Sequence, residues 1–208
     1  MRHGLACPDW IDSLGNMQRF FIVILLVFLL SGCSGVRYSE VAPEVKDFHP
    51  KRIGVLPVDV GIYPDAKGVI DRIVVEALID KGWFANVVGG DAINKQIPAS
   101  EESKRVIYDY ISKLKNVSYS DPNLSKGIGE LLKVDAFLVV DVAYWHYTQI
   151  EDDKVAKVEA EVTMVNANTG QILWKAHHYE AETYTFFKPQ LSDMARNLIK
   201  KMIGEMPH

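Results

Sequence analysis

Cysteine is nearly absent: the chain has two in 208 residues, Cys7 and Cys33, and none beyond position 33. A secreted domain held by disulfides shows an even set of cysteines in its folded part. Beyond residue 33 the fold must therefore rest on its core, and a thiol site or a cysteine zinc site is excluded there. A basic surplus is missing too. The formal net charge is −4, and residues 1–32 do not change it, because Arg2 and Arg19 offset Asp9 and Asp12. Nucleic-acid binding calls for a basic surplus or stripe, so that role is excluded from the reading. No apolar run approaches the roughly 20 residues of a spanning helix; the longest, residues 20–30, has eleven.

Catalytic fingerprints are also lacking. Gly89-Gly90 and Gly127-Ile128-Gly129 fit no phosphate-cradling loop, and no Gly-x-Ser-x-Gly elbow occurs. His177-His178 is the one adjacent histidine pair. Neighbours on a strand point to opposite faces, so these two cannot grip one metal, and no other histidine or carboxylate spacing completes a zinc set. The expectation is a protein without cofactor or metal that is not an enzyme.

What is present begins with the apolar run itself. Eleven residues of helix rise roughly 16 Å, about half the hydrocarbon thickness of a bilayer, which suits the core of a signal peptide. Directly after it stands Leu30-Ser31-Gly32-Cys33, which resembles the lipobox of bacterial lipoproteins. Small residues let the protease approach the bond, and the cysteine sulfur receives a diacylglyceryl group. Residues 1–32 thus read as a signal peptide and Cys33 as the lipidated residue, the covalent lipid being the one non-protein group expected. Ser34 resembles the residues that permit sorting to the outer membrane, with the domain facing the periplasm. Met17-Gln18-Arg19 makes a better basic leader than the first sixteen residues, so translation is expected to start at Met17.

Residues 33–50 read as the lipidated cysteine and a tether, with Pro43 and Pro50 and no periodicity. The seventeen residues after Cys33 would span at most roughly 60 Å. Residues 51–208 read as one α/β domain. Residues 52–60 suggest a buried strand that Pro57 bends or ends. Asp65 is the expected cap of a helix whose apolar face is Ala66, Val69, Ile70, Ile73, Val74, Ala77 and Leu78, with Gly82 its stop. Residues 83–88 fit a short strand. Ser100 and Asp121 are expected to cap two further helices. Residues 136–140 are apolar on both faces, as in a central strand running on to about 150. After a turn at residues 151–154, Ala156, Val158, Ala160, Val162 and Met164 alternate with Lys157, Glu159, Glu161 and Thr163, the latter set on a solvent face. Asn168-Thr169-Gly170 turns the chain into another strand, to about Glu182, and a helix from Leu191 to Ile203 closes it. The order implies a single mixed sheet with an early βαβ unit, a C-terminal antiparallel meander and flanking helices.

Three features could carry chemistry or binding. Glu159 and Glu161 share a strand face, Glu151, Asp152 and Asp153 crowd one turn, and paired carboxylates can serve acid–base work or be a solvated face. Asp141 is a carboxylate inside an apolar strand. The aromatic runs at residues 144–147 and 184–187 could form a partner surface of Tyr144, Trp145, Tyr147, Phe186 and Phe187, or be cross-strand pairs at one end of the sheet.

Three segments carry a resemblance: Arg52-Ile-Gly-Val-Leu-Pro-Val58, Leu132-Lys-Val-Asp-Ala-Phe-Leu-Val-Val140 and Val165-Asn-Ala-Asn-Thr-Gly-Gln-Ile-Leu-Trp174. They resemble a group of bacterial envelope lipoproteins that includes the curli-secretion (CsgG) and peptidoglycan-synthase-activator (LpoB) families and a neisserial surface lipoprotein family, nearest in appearance. These share an α/β domain similar to the N-terminal domain of TolB. The resemblance spans about Arg52 to Glu182 and implies an anchored, non-catalytic accessory or scaffold of a transport, secretion or surface-assembly complex. Its partners would be other envelope proteins or further copies of the chain. The alternatives it leaves are an activator of a peptidoglycan synthase and, from the carboxylates, an unrecognised hydrolase. The chain lacks the extra length for the pore-forming hairpins of the curli-secretion group, and the long disordered tether of the synthase activators.

Overall fold

Residues 136–140 bury five apolar side chains in succession, which a strand tolerates only when both of its faces are covered. A computed structural model of the protein describes residues 36–90, 93 and 101–208. The expected signal peptide, Met17, Cys33, Ser34 and the Ser100 cap lie outside the described residues.

Six strands form one mixed sheet: β1 (Val36–Val41), β2 (Arg52–Val55), β3 (Asn86–Val88), β4 (Ala136–Ile150), β5 (Asp153–Asn166) and β6 (Ile172–Tyr184). Their order across the sheet is β1-β6-β5-β4-β2-β3. Strand β2 runs parallel to β3 and β4, and the remaining pairs are antiparallel. The βαβ unit is β2, helix α1 (Val69–Lys81) and β3; helices α2 (Glu101–Val117) and α3 (Pro122–Leu132) cross to β4, and α4 (Leu191–Glu205) closes the chain.

One face of the sheet carries Leu138, Val140, Val158, Val162, Met164 and Trp174 against Ile70, Ile73 and Val74 of α1 and Leu198, Ile199 and Met202 of α4. The small side chains of Ala156, Ala160 and Ala176 belong to the same core. On the opposite face Phe137, Val139 and Val165 pack under Ile107, Tyr110, Ile111 and Leu114 of α2 and Ile128 and Leu132 of α3.

Local chemistry sets the boundaries. Pro57 has no N–H to offer the ladder, and β2 ends at Val55 instead of running to residue 60; Leu56 N still donates to Leu138 O, and Asp59 bridges Asp141. The cap expected at Asp65 is made differently. Residues Pro64–Ala66 form a 3-10 turn, Gly68 is the N-cap with φ 74°, and the Asp71 carboxylate accepts from the N–H groups of Gly68 and Val58. Gly82 stops α1 in the left-handed conformation, and Asp121 caps α3 by accepting from Asn123 N and Leu124 N, both as expected.

The stretch expected to be a tether is partly built into the fold. Residues 36–41 add to the sheet edge beside β6, and residues 43–47 form a 3-10 helix. Trp174 explains the docking: its indole Nε1 donates to Ser39 Oγ at 3.2 Å. Asp135 ties the sheet centre, accepting from Lys51 N, Arg52 N and the Arg52 guanidinium, so β2 and β4 start in register.

Candidate functional site

Between Val142 and Tyr144 the pairing of β4 with β5 shifts by one residue. Side chains on a strand alternate with period two, so one extra residue sends every later side chain to the other face. Beyond the bulge Trp145 turns into the α1/α4 core and is 8% exposed. Tyr144 and His146 turn to the opposite face, stacked on one another and beside Tyr63.

There the sheet presents a polar and aromatic surface. Tyr144 stands opposite Glu159, which stands opposite Tyr179, and Glu161 opposite His177. Tyr38 of the edge strand continues the row beside His177, and its hydroxyl donates to Glu40. The alternation puts Glu159 on a solvent face, but it is 5% exposed. Lys157 Nζ lies 2.5 Å from one of its oxygens and His177 Nε2 2.8 Å from the other. The same ammonium sits 4.0 Å above the Tyr144 ring and 5.5 Å from that of Tyr179. A carboxylate removed from water in this way must be paired, and the pairing occupies both oxygens. Glu161 pairs with Lys175 at 2.9 Å. The two glutamates therefore lock a surface lattice. Below them a cleft of about 540 Å³ is lined by Tyr38, Ser118, Glu161, Lys175 and His177.

Asp141 also has partners. Lys115 Nζ from α2 lies 2.5 Å from Asp141 and 2.8 Å from Asp59. Burial raises the Asp141 pKa, against the pull of Lys115. Burial acts the same way on Asp59, but its bonds from Lys115 and Gly61 N outweigh it and hold that group below the usual carboxylate range. One lysine shared by two carboxylates fastens α2 to β4 and to the segment that follows β2. Nothing in the sequence brings Lys115 forward, because its partners are 56 and 26 residues away. A second cleft, of about 340 Å³, opens at the carboxyl ends of β2 and β3, lined by Pro57, Lys67, Arg72, Gly89 and Tyr108. Crevices at that end of parallel strands are the usual ligand position in open α/β sheets. Among the described residues no group of three or more histidines, cysteines or acids could hold a metal, and no helix is long and apolar enough to cross a membrane.

The five aromatics expected as a partner surface do not form one patch. Trp145 belongs to the core and Tyr144 to the polar lattice, where it lies 6.3 Å from Tyr63 and 5.1 Å from His146. Tyr147 packs edge-on to Tyr184 at 5.8 Å and donates to Pro189 O at 2.8 Å. Phe186 and Phe187 are 90% and 91% exposed, on the loop between β6 and α4.

No protein-family model matches the chain, and no curated protein matches it. Solved structures with a similar fold do exist. The PelC dodecamer from Paraburkholderia phytofirmans superposes with a TM-score of 0.51 at 15% identity, over 80% of this chain and 92% of that one. The hypothetical protein CT253 from Chlamydia trachomatis gives 0.51 at 9% identity, over 74% and 93%. The lipoprotein GNA1162 from Neisseria meningitidis gives 0.45 at 16% identity, over 76% and 100%. At these identities, the likeness to PelC and CT253 shows a shared fold.

Proposed function

We propose that the chain is a lipoprotein of the bacterial envelope, anchored through lipid on Cys33 after removal of residues 1–32, and that its α/β domain serves as a non-catalytic accessory or scaffold. The observation that carries this reading is the place of the Leu30-Ser31-Gly32-Cys33 tetrad: it follows the apolar run and stands three residues before the first strand, at Val36. Ser34 directs the protein to the outer membrane, with the domain on the periplasmic side.

The prominent carboxylates support a structural role over hydrolysis, because Glu159 and Asp141 are bound by lysine and, for Glu159, by His177. The short link also bears on partners. Three residues reach at most about 10 Å, so the domain works beside its membrane, which favours an envelope assembly over activation of a distant peptidoglycan synthase. The shared fold with the PelC dodecamer supports further copies of the chain as one partner. Affinity capture of the intact protein from solubilised membranes, with light scattering of the product, tests this. The expected result is self-association or repeated recovery of the same envelope proteins; a monomer with no reproducible partner contradicts it.

A further inference from the structure

Phe186 and Phe187 are the most exposed large apolar side chains among the described residues, and their loop is held in place. The outgoing limb ends at Tyr184, whose ring packs on Tyr147. The returning limb is pinned where the Tyr147 hydroxyl bonds Pro189 O, with the Lys188 ammonium 4.6 Å above the Tyr147 ring. Two phenylalanines fixed in water on a braced loop imply something that covers them.

The direction of the edge strand identifies the cover. Strand β1 is antiparallel to β6, with Val41 opposite Trp174 and Val36 opposite His178. Its N-terminal end therefore points along the sheet towards Tyr184 and the Phe186–Phe187 loop. The tip of the β4–β5 hairpin lies at the same end, since Lys154 pairs with Tyr184, and Ile150 beside it is 54% exposed. From the level of His178 to that of Tyr184 is about 20 Å of strand. Cys33 can stand at most about 10 Å beyond Val36. A lipid on Cys33 is thus tethered by three residues to the end of β1 that points towards the loop.

We infer that Phe186 and Phe187 insert into the same membrane leaflet that holds the Cys33 lipid, giving the domain a second, apolar contact that fixes its orientation. The inference rests on the proposed lipid anchor. Aromatic side chains seated at the headgroup–acyl boundary act in this way. Charge supports apolar insertion into neutral lipid over attraction to anionic lipid: at this end Glu151, Asp152, Asp153 and Glu182 outnumber Lys154 and Lys188.

The test uses the full chain carrying Phe187→Trp, purified from bacterial membranes into phosphatidylcholine vesicles brominated along the acyl chains, beside the unsubstituted chain. The introduced indole is expected to emit to the blue and to be quenched at least twofold, over the background of the native tryptophans, with no gain when anionic lipid is added. Emission typical of indole in water, without quenching, overturns the inference. Palmitate labelling of the same sample separates the two ideas. Label without quenching leaves the anchor standing and removes the insertion; quenching without label supports the insertion and removes the anchor. Near-ultraviolet circular dichroism matching the unsubstituted chain establishes that the variant is folded.

Discussion

Tyr144 and Trp145 are neighbours in the chain, yet they lie on opposite faces of the sheet from those that the alternation of residues 136–142 would give them. The one-residue shift between Val142 and Tyr144 sends the indole into the core and the phenol out over Lys157.

That relationship separates two substitutions of similar chemistry. Trp145→Ala removes a large buried ring and should destabilise the domain by about 3–5 kcal/mol. Tyr144→Ala, at a residue 37% exposed, should cost less than about 1 kcal/mol. Urea unfolding followed by circular dichroism measures both; equal losses would place the bulge elsewhere.

Gly170 should resist replacement. It has φ 72°, and a Cβ there would stand 2.7 Å from Pro122 Cα in the backbone of α3. Gly170→Ala combines left-handed strain with a clash against a helix start, so a loss of at least about 1–3 kcal/mol is expected in the same unfolding experiment.

Stability should fall in mild acid. His178 is 1% exposed, with Glu205 3.2 Å from Nε2 but off the hydrogen-bond line. Burial holds its pKa below the ordinary 6.5; Glu205 opposes this and Lys201 reinforces it. A histidine kept neutral in the fold leaves stability intact above about pH 6.5. Below that the unfolded chain takes up a proton that the folded chain refuses, at up to about 1.4 kcal/mol per pH unit, until the pH reaches the folded value. Urea midpoints at pH 7.5, 6.5 and 5.5 should decline, and His178→Leu should flatten the decline. A parent curve that is flat over this range would contradict the assignment.

Much of the fold is legible because its determinants are local. The inward set of residues 156–164, the helical spacing in α1 and α4, the Asp121 cap and the Gly82 stop each depend on a few neighbouring residues and stand as expected, whereas Glu159 and Thr163 of the outward set are buried, at 5% and 4% exposure. The motif residues also acquire physical reasons: Asp135 gathers the starts of β2 and β4, and Asn166 Oδ1 accepts from Asn168 N and Thr169 N to close the turn before Gly170. What stays hidden is non-local. Residues 36–41 lack apolar periodicity, and the contact that docks them joins Ser39 to Trp174, 135 residues away. The bulge at β4 has no composition of its own, so alternation alone groups Trp145 with exposed aromatics. Glu159 looks solvated because its cover comes from Lys157, Tyr144, Tyr179 and His177 acting together across three strands.

The anchor itself is tested most directly by mass spectrometry of the N-terminal peptide from the protein purified out of bacterial membranes. The predicted result is a peptide that begins at Cys33, carries a diacylglyceryl group on its sulfur, and disappears when the Cys33→Ala variant is expressed. An unmodified peptide running through residues 30–36, or a Cys33→Ala variant that still fractionates with the outer membrane, would contradict the account.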